Sequence, residues 1–109
     1  MSETNKVLIA DLNKSMALEL PLEISFTAIE EQLADYVNNL IQKDFEKLVS
    51  LLYRIDVSEA KLKHLLQLYA NENAGRIIAR LIIERQLQKI KSREAFSKKN
   101  NAADENETW

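Results

Sequence analysis

The chain has 109 residues, a formal net charge of −2, one glycine, one proline and no cysteine. The lack of cysteine excludes disulfides, thiolate metal sites and a cysteine nucleophile, and the scarcity of turn residues argues against sheet and loop-rich folds. With 46% hydrophobic residues, the composition instead predicts one all-α domain with a mostly aliphatic core. No apolar run approaches the length of a signal peptide or a membrane span, so we expect a cytoplasmic protein without membrane contact.

The first 24 residues carry two different apolar patterns. Leu8, Leu12 and Met16 recur every four residues, as on a helical face, whereas the apolar residues from 18 to 24 alternate as in an extended segment. Pro21 disfavours helical geometry at the residue before it. We therefore predict an N-terminal arm, residues 1–24, in which a short helix or irregular chain leads into an extended segment.

Two helices are predicted after the arm. Thr27 and Glu30 have the spacing of a capping box, and the amphipathic stripe that follows predicts a helix at about residues 27–42. Asp44 is placed to cap a second helix that carries Phe45 and Leu48. No proline or glycine separates these two helices, so they either stay separate or run together.

Two further helices and a tail complete the predicted fold. Asp56 or Ser58 caps a third helix, and residues 71–75 predict a turn because asparagine and glycine tolerate left-handed geometry. The fourth and longest helix runs from about residue 74 to residue 96. The sequence thus predicts a small bundle of about four helices in one domain, residues 1–96, and a disordered polar tail, residues 97–109.

The fourth helix carries apolar residues on two sides. Ile77, Ile78, Leu81 and Ile82 occupy one side, and Ile83, Leu87 and Ile90 lie nearly opposite. A helix that packs on one core normally has one stripe. Either the N-terminal arm covers the second stripe, or that stripe contacts another subunit or a partner protein.

A basic ridge lies on the same helix, formed by Arg85, Lys89 and Arg93 at intervals of four. Residues 61–99 contain ten basic and three acidic side chains, whereas residues 1–60 contain five and eleven. The ridge is either a solvated face, favoured by the helix dipole, or a docking surface for an acidic partner. Nucleic acid is the less favoured partner, because the chain is not basic overall and lacks interleaved aromatic residues.

Catalytic and metal-binding patterns are missing from the sequence. The single histidine, His64, has no carboxylate nearby in sequence to orient it, and Glu31 and Asp35 lack the Glu-x-x-His pairs of carboxylate metal sites. Gly75 alone cannot form a phosphate-binding loop. We therefore predict a protein that is not an enzyme and has no metal or other cofactor.

Two stretches, residues 44–59 (DFEKLVSLLYRIDVSE) and residues 82–94 (IIERQLQKIKSRE), resemble a group of short uncharacterised bacterial helical proteins. The resemblance covers about residues 25–96. It implies a small cytoplasmic bacterial protein and supplies no activity, cofactor or site.

These observations favour a non-catalytic module for protein–protein interaction or self-association, with a homodimer as one form. The candidate interface consists of three apolar anchors and three basic neighbours: Ile83, Leu87, Ile90, Arg85, Lys89 and Arg93. The alternative is a regulator that binds nucleic acid through the basic ridge.

Overall fold

A computed structural model describes residues 3–106 of the chain, with side chains described for residues 4–96. Within residues 3–106 there are five helices and no strand: α1 (Glu3–Met16), α2 (Phe26–Lys43), α3 (Phe45–Ile55), α4 (Glu59–Leu68) and α5 (Ala74–Asn106). The all-α prediction is confirmed. The predicted number of helices is wrong, because the arm contains a helix of its own. Helix α5 contacts each of the other four helices, and α2 most extensively.

Helix α1 forms the first part of the predicted N-terminal arm, for which a short helix and an irregular chain were the two alternatives. Its side chains Leu8, Ile9, Leu12 and Met16 are all essentially inaccessible to solvent. These residues share one helical face, and burial of that face stabilises a helix too short to persist alone in water. The helix ends at Ala17, which has a left-handed φ of 54°, and the backbone N–H of the next residue donates to the carbonyl of Asn13 at 3.1 Å.

The segment between α1 and α2 contains no helix and is tied to α1 through one side chain. The Asn13 amide group donates to the Leu20 carbonyl at 3.1 Å and accepts from the Leu20 N–H at 2.8 Å. Both backbone groups of Leu20 are thereby satisfied without a strand partner. Leu20 is buried in the core as a result, whereas Leu22 is exposed.

The caps of the central helices agree only in part with the sequence prediction. Helix α2 is capped by Ser25 and not by Thr27, since the Ser25 hydroxyl accepts from the backbone N–H of Ala28 at 3.1 Å. Asp44 caps α3 as predicted. It also separates α2 from α3, so the two helices do not run together.

The connection from α3 to α4 uses both of the candidate cap residues. Asp56 ends α3 in the left-handed conformation, with φ of 68°. Ser58 then caps α4 by accepting from the Lys61 N–H at 3.2 Å. The connection between the two helices is therefore short, and residues of both helices line one groove.

The predicted turn at residues 71–75 exists, but Gly75 is not the left-handed residue within it. Gly75 lies in the first turn of α5 and has no positive φ. Asn73 acts as the cap of this helix, and its side-chain oxygen accepts from the Arg76 N–H at 3.1 Å. Gly75 is required for a different reason, which is the close approach of the Asn38 side chain.

One buried cluster joins α1, α2, α3 and α5. Its last member along the chain is Ile90, and α5 continues beyond it to Asn106. The helical backbone of α5 therefore reaches into the segment that the sequence predicts as a polar tail, since a helix that already exists extends without a new nucleation step. Side chains from residue 97 onward, and residues 107–109 entirely, lie outside the described residues.

Candidate functional site

The second apolar stripe of α5 is largely covered within the chain itself. Ile83 and Ile90 are each only 3% exposed and belong to the same buried cluster as Leu8 and Ile9 of α1. This arrangement matches the interpretation in which the N-terminal segment packs over the stripe. Of the three predicted apolar anchors, Ile83 and Ile90 are buried in this chain, and only Leu87 is half-buried and within reach of a partner.

Leu87 lies in a shallow groove between α5 and the start of α2. Its apolar neighbours there are Ile83 and the partly exposed Phe26. An ion pair between Arg80 and Glu30, 3.1 Å apart, lies along the same groove. This groove therefore offers a small apolar area with a charged border.

The basic ridge of α5 has a structural role at both of its ends. The Arg85 guanidinium donates to the side chain and to the backbone carbonyl of Asp56, both at 3.1 Å. The Arg93 guanidinium donates to the Asp11 carboxylate at 2.5 Å. These pairs tie α5 to the end of α3 and to α1, whereas Lys89 between them has no ion-pair partner in the described part of the chain.

Other basic residues join this ridge to form what we call the basic cleft, which lies between α1, α3 and α5. The cleft is lined by Asp11, Lys14, Ser15, Arg54, Arg85, Gln86, Lys89, Ser92 and Arg93. Gln86 is 3% exposed, and its side-chain N–H donates to the Ser15 hydroxyl at 3.2 Å. The sequence could not indicate the contributions of Lys14 and Arg54, because they are far from α5 along the chain.

A second surface, which we call the hairpin groove, lies between α3 and α4. Nine apolar residues and one pair of charged residues line it: Phe45, Leu48, Val49, Leu52, Tyr53, Val57, Leu62, Leu66 and Ile78, with Glu59 and Lys63. Glu59 and Lys63 form an ion pair with each other at 3.2 Å. The groove is therefore apolar along its length and close to neutral in charge.

Helix α3 borders the hairpin groove because it has two apolar faces. Leu48, Leu51 and Ile55 point into the core. Phe45, Val49 and Tyr53 are 59%, 49% and 89% exposed. Phe45, Val49 and Tyr53 recur at intervals of four residues, a pattern in the sequence that is able to indicate this exposed row.

Helix α4, the other wall of the hairpin groove, is packed less tightly than the rest of the fold. None of its residues is buried, and Leu62, Leu65 and Leu66 are all half-exposed. The His64 side chain is exposed on this helix and has no hydrogen-bond partner among the described residues. A wall with few buried contacts can shift position at low cost in stability.

Among the residues described, no group of three or more histidines or carboxylates is placed to hold a metal ion. Within the same residues, no helix combines the length and the apolar character needed to cross a bilayer. Comparison with known proteins adds no relative: no family model, no curated protein and no solved structure matches this chain.

Proposed function

We propose that this chain is a non-catalytic protein–protein interaction module that associates with a second copy of itself through the hairpin groove. The observation that carries the proposal is the exposed row Phe45, Val49 and Tyr53 beside an apolar groove. Contiguous apolar surface of this kind is uncommon on proteins that act alone and typically marks an interaction site.

The exposed rings supply a large part of the driving force for association. Phe45 and Tyr53 leave 59% and 89% of their surface exposed, which is roughly 300 Å² for two aromatic side chains. At about 25 cal/mol per Å², two copies that cover each other's rings gain about 15 kcal/mol in total. This gain is comparable with the association cost of about 4–15 kcal/mol, which supports a reversible dimer.

A second copy fits the groove because ridge and groove lie side by side on one face of the molecule. In a two-fold symmetric dimer the same surface is used by both subunits, so the Phe45–Tyr53 ridge of each copy can lie in the groove of the other. The only charged lining residues, Glu59 and Lys63, neutralise each other. An identical surface therefore meets little like-charge repulsion there.

The proposal is tested by light scattering after size-exclusion chromatography, over a range of protein concentrations. The informative variant is Val49→Asp, which places a charge on the exposed ridge. The matched control is Ser50→Asp, because Ser50 is the next residue of α3, is exposed and lies outside the groove. We expect a dimer for the wild type and for Ser50→Asp, and a monomer of unchanged helicity for Val49→Asp.

Three outcomes would contradict self-association through this surface. One is a wild-type protein that stays monomeric at every concentration. Another is an equal loss of the dimer in both variants, which would indicate an electrostatic effect unrelated to the groove. The third is a dimer that persists in Val49→Asp but not in Leu87→Asp, which would place the interface in the groove around Leu87 instead.

The alternative function, nucleic-acid binding through the ridge of α5, has less support. Arg85 and Arg93 are held by carboxylates of the same chain, so within residues 4–96 only Lys89 of the ridge has no ion-pair partner. The expected bacterial origin and cytoplasmic location are part of the proposal and are compatible with an interaction module.

A further inference from the structure

The basic cleft brings together basic side chains from three different helices. Lys14 of α1, Arg54 of α3 and Lys89 of α5 line it, and none of the three makes an ion pair in the described part of the chain. Three unpaired cations in one concave site repel each other, so a bound anion would stabilise the arrangement.

The floor of the cleft offers hydrogen-bond donors as well as charge. The Ser15 hydroxyl accepts from Gln86, so its own proton remains available to donate. Ser92 also lines the cleft and carries a second hydroxyl group. Lys89 is half-buried beside them, and a partly desolvated ammonium group binds an anion more strongly than a fully exposed one does.

The length of the cleft favours a short anion over a long one. Arg85 and Arg93 are eight residues apart on one helix, which corresponds to about 12 Å along its axis. Each is paired with a carboxylate, Asp56 at one end and Asp11 at the other. A long polyanion that continued past these ends would approach both carboxylates and be repelled, whereas a compact anion beside Lys89 would meet only Asp11, whose charge is neutralised by Arg93.

We propose that the basic cleft binds a small anion with two or more linked phosphate groups, as in a di- or triphosphate. Such a group is short enough to lie between the two terminal ion pairs. It carries enough negative charge to match the three free cations, and its oxygen atoms accept hydrogen bonds from ammonium, guanidinium and hydroxyl donors alike. This site is separate from the hairpin groove and does not depend on self-association.

Isothermal titration calorimetry of the full-length protein with inorganic tripolyphosphate tests the proposal at about 150 mM salt, where exposed charges are largely screened. We expect saturable binding with one site per chain. Lys89→Gln should weaken binding about tenfold or more, since it removes one charge-assisted hydrogen bond. Lys89 makes no ion pair with any described residue, so we expect this variant to keep its fold.

The matched control is Lys91→Gln, because Lys91 is an exposed cation of the same helix that lies outside the basic cleft. It should leave the affinity for tripolyphosphate unchanged. Three results would overturn the proposal: no saturable binding, equal weakening in both variants, or tighter binding of single-stranded DNA or polyglutamate at the same ionic strength. The last result would assign the cleft to a macromolecular polyanion.

Discussion

The substitution Gly75→Ala tests the contact between the start of α5 and the Asn38 side chain of α2. A Cβ atom built at this position would lie 2.4 Å from both Cγ and Oδ1 of Asn38, far inside van der Waals contact. In the wild type, the Asn38 oxygen accepts from the Gly75 N–H at 3.1 Å. The Asn38 amide nitrogen donates to Asn73, the cap of α5, at 2.8 Å. Gly75→Ala must therefore displace the Asn38 side chain from both bonds.

The expected loss of stability follows from these two hydrogen bonds. Each hydrogen bond contributes about 0.5–1.5 kcal/mol to stability. The replacement of glycine by alanine within a helix offsets about 0.4–1 kcal/mol of that loss. We expect Gly75→Ala to lower the free energy of unfolding by about 1–2 kcal/mol. The corresponding fall in melting temperature is about 4–8 °C.

A double-mutant cycle with Asn38→Ala isolates the steric cause. In the Asn38→Ala background no side chain obstructs the new methyl group, so Gly75→Ala should raise stability by about 0.4–1 kcal/mol. Thermal and urea denaturation, followed by circular dichroism, measure all four proteins. If Gly75→Ala changed stability with the same sign in both backgrounds, the proposed contact between Gly75 and Asn38 would be refuted.

Two further predictions concern stability. Ala17 adopts a left-handed φ at the end of α1, so Ala17→Gly should raise the free energy of unfolding by about 0.5–1 kcal/mol in urea denaturation, and a decrease would contradict this account. Ile90→Asp should lower stability by more than about 3 kcal/mol because it buries a charge in the core, whereas Leu87→Asp should retain cooperative unfolding at a smaller cost. Equal effects in thermal denaturation would show that the two positions are equally buried.

Much of the fold follows from local patterns in the sequence. The apolar stripe from Ile29 to Leu40 specifies α2, and the polar residues Asp44 and Ser58 specify where α3 and α4 begin. These signals are readable because amphipathic periodicity and helix capping involve residues only three or four positions apart. The same periodicity marks Leu8, Leu12 and Met16, although it did not by itself decide between a helix and an irregular arm.

Other features depend on contacts between distant parts of the chain. Burial of Ile83 and Ile90 depends on packing in a core that includes α1, and the exposure of Phe45 depends on how loosely α4 packs. Periodicity shows which residues share a face of a helix, but it does not show which face meets a neighbour.

The sequence by itself thus determined an all-helical chain, the positions of its central helices and the presence of a basic ridge on the last one. Only the tertiary structure decided which surfaces remain accessible. Lys14, Arg54 and Lys89 come from three helices and meet in the basic cleft, and α3 shows a second apolar face only because its first is already buried. Proximity across long stretches of chain depends on how all the helices pack together, and no local pattern of residues encodes it.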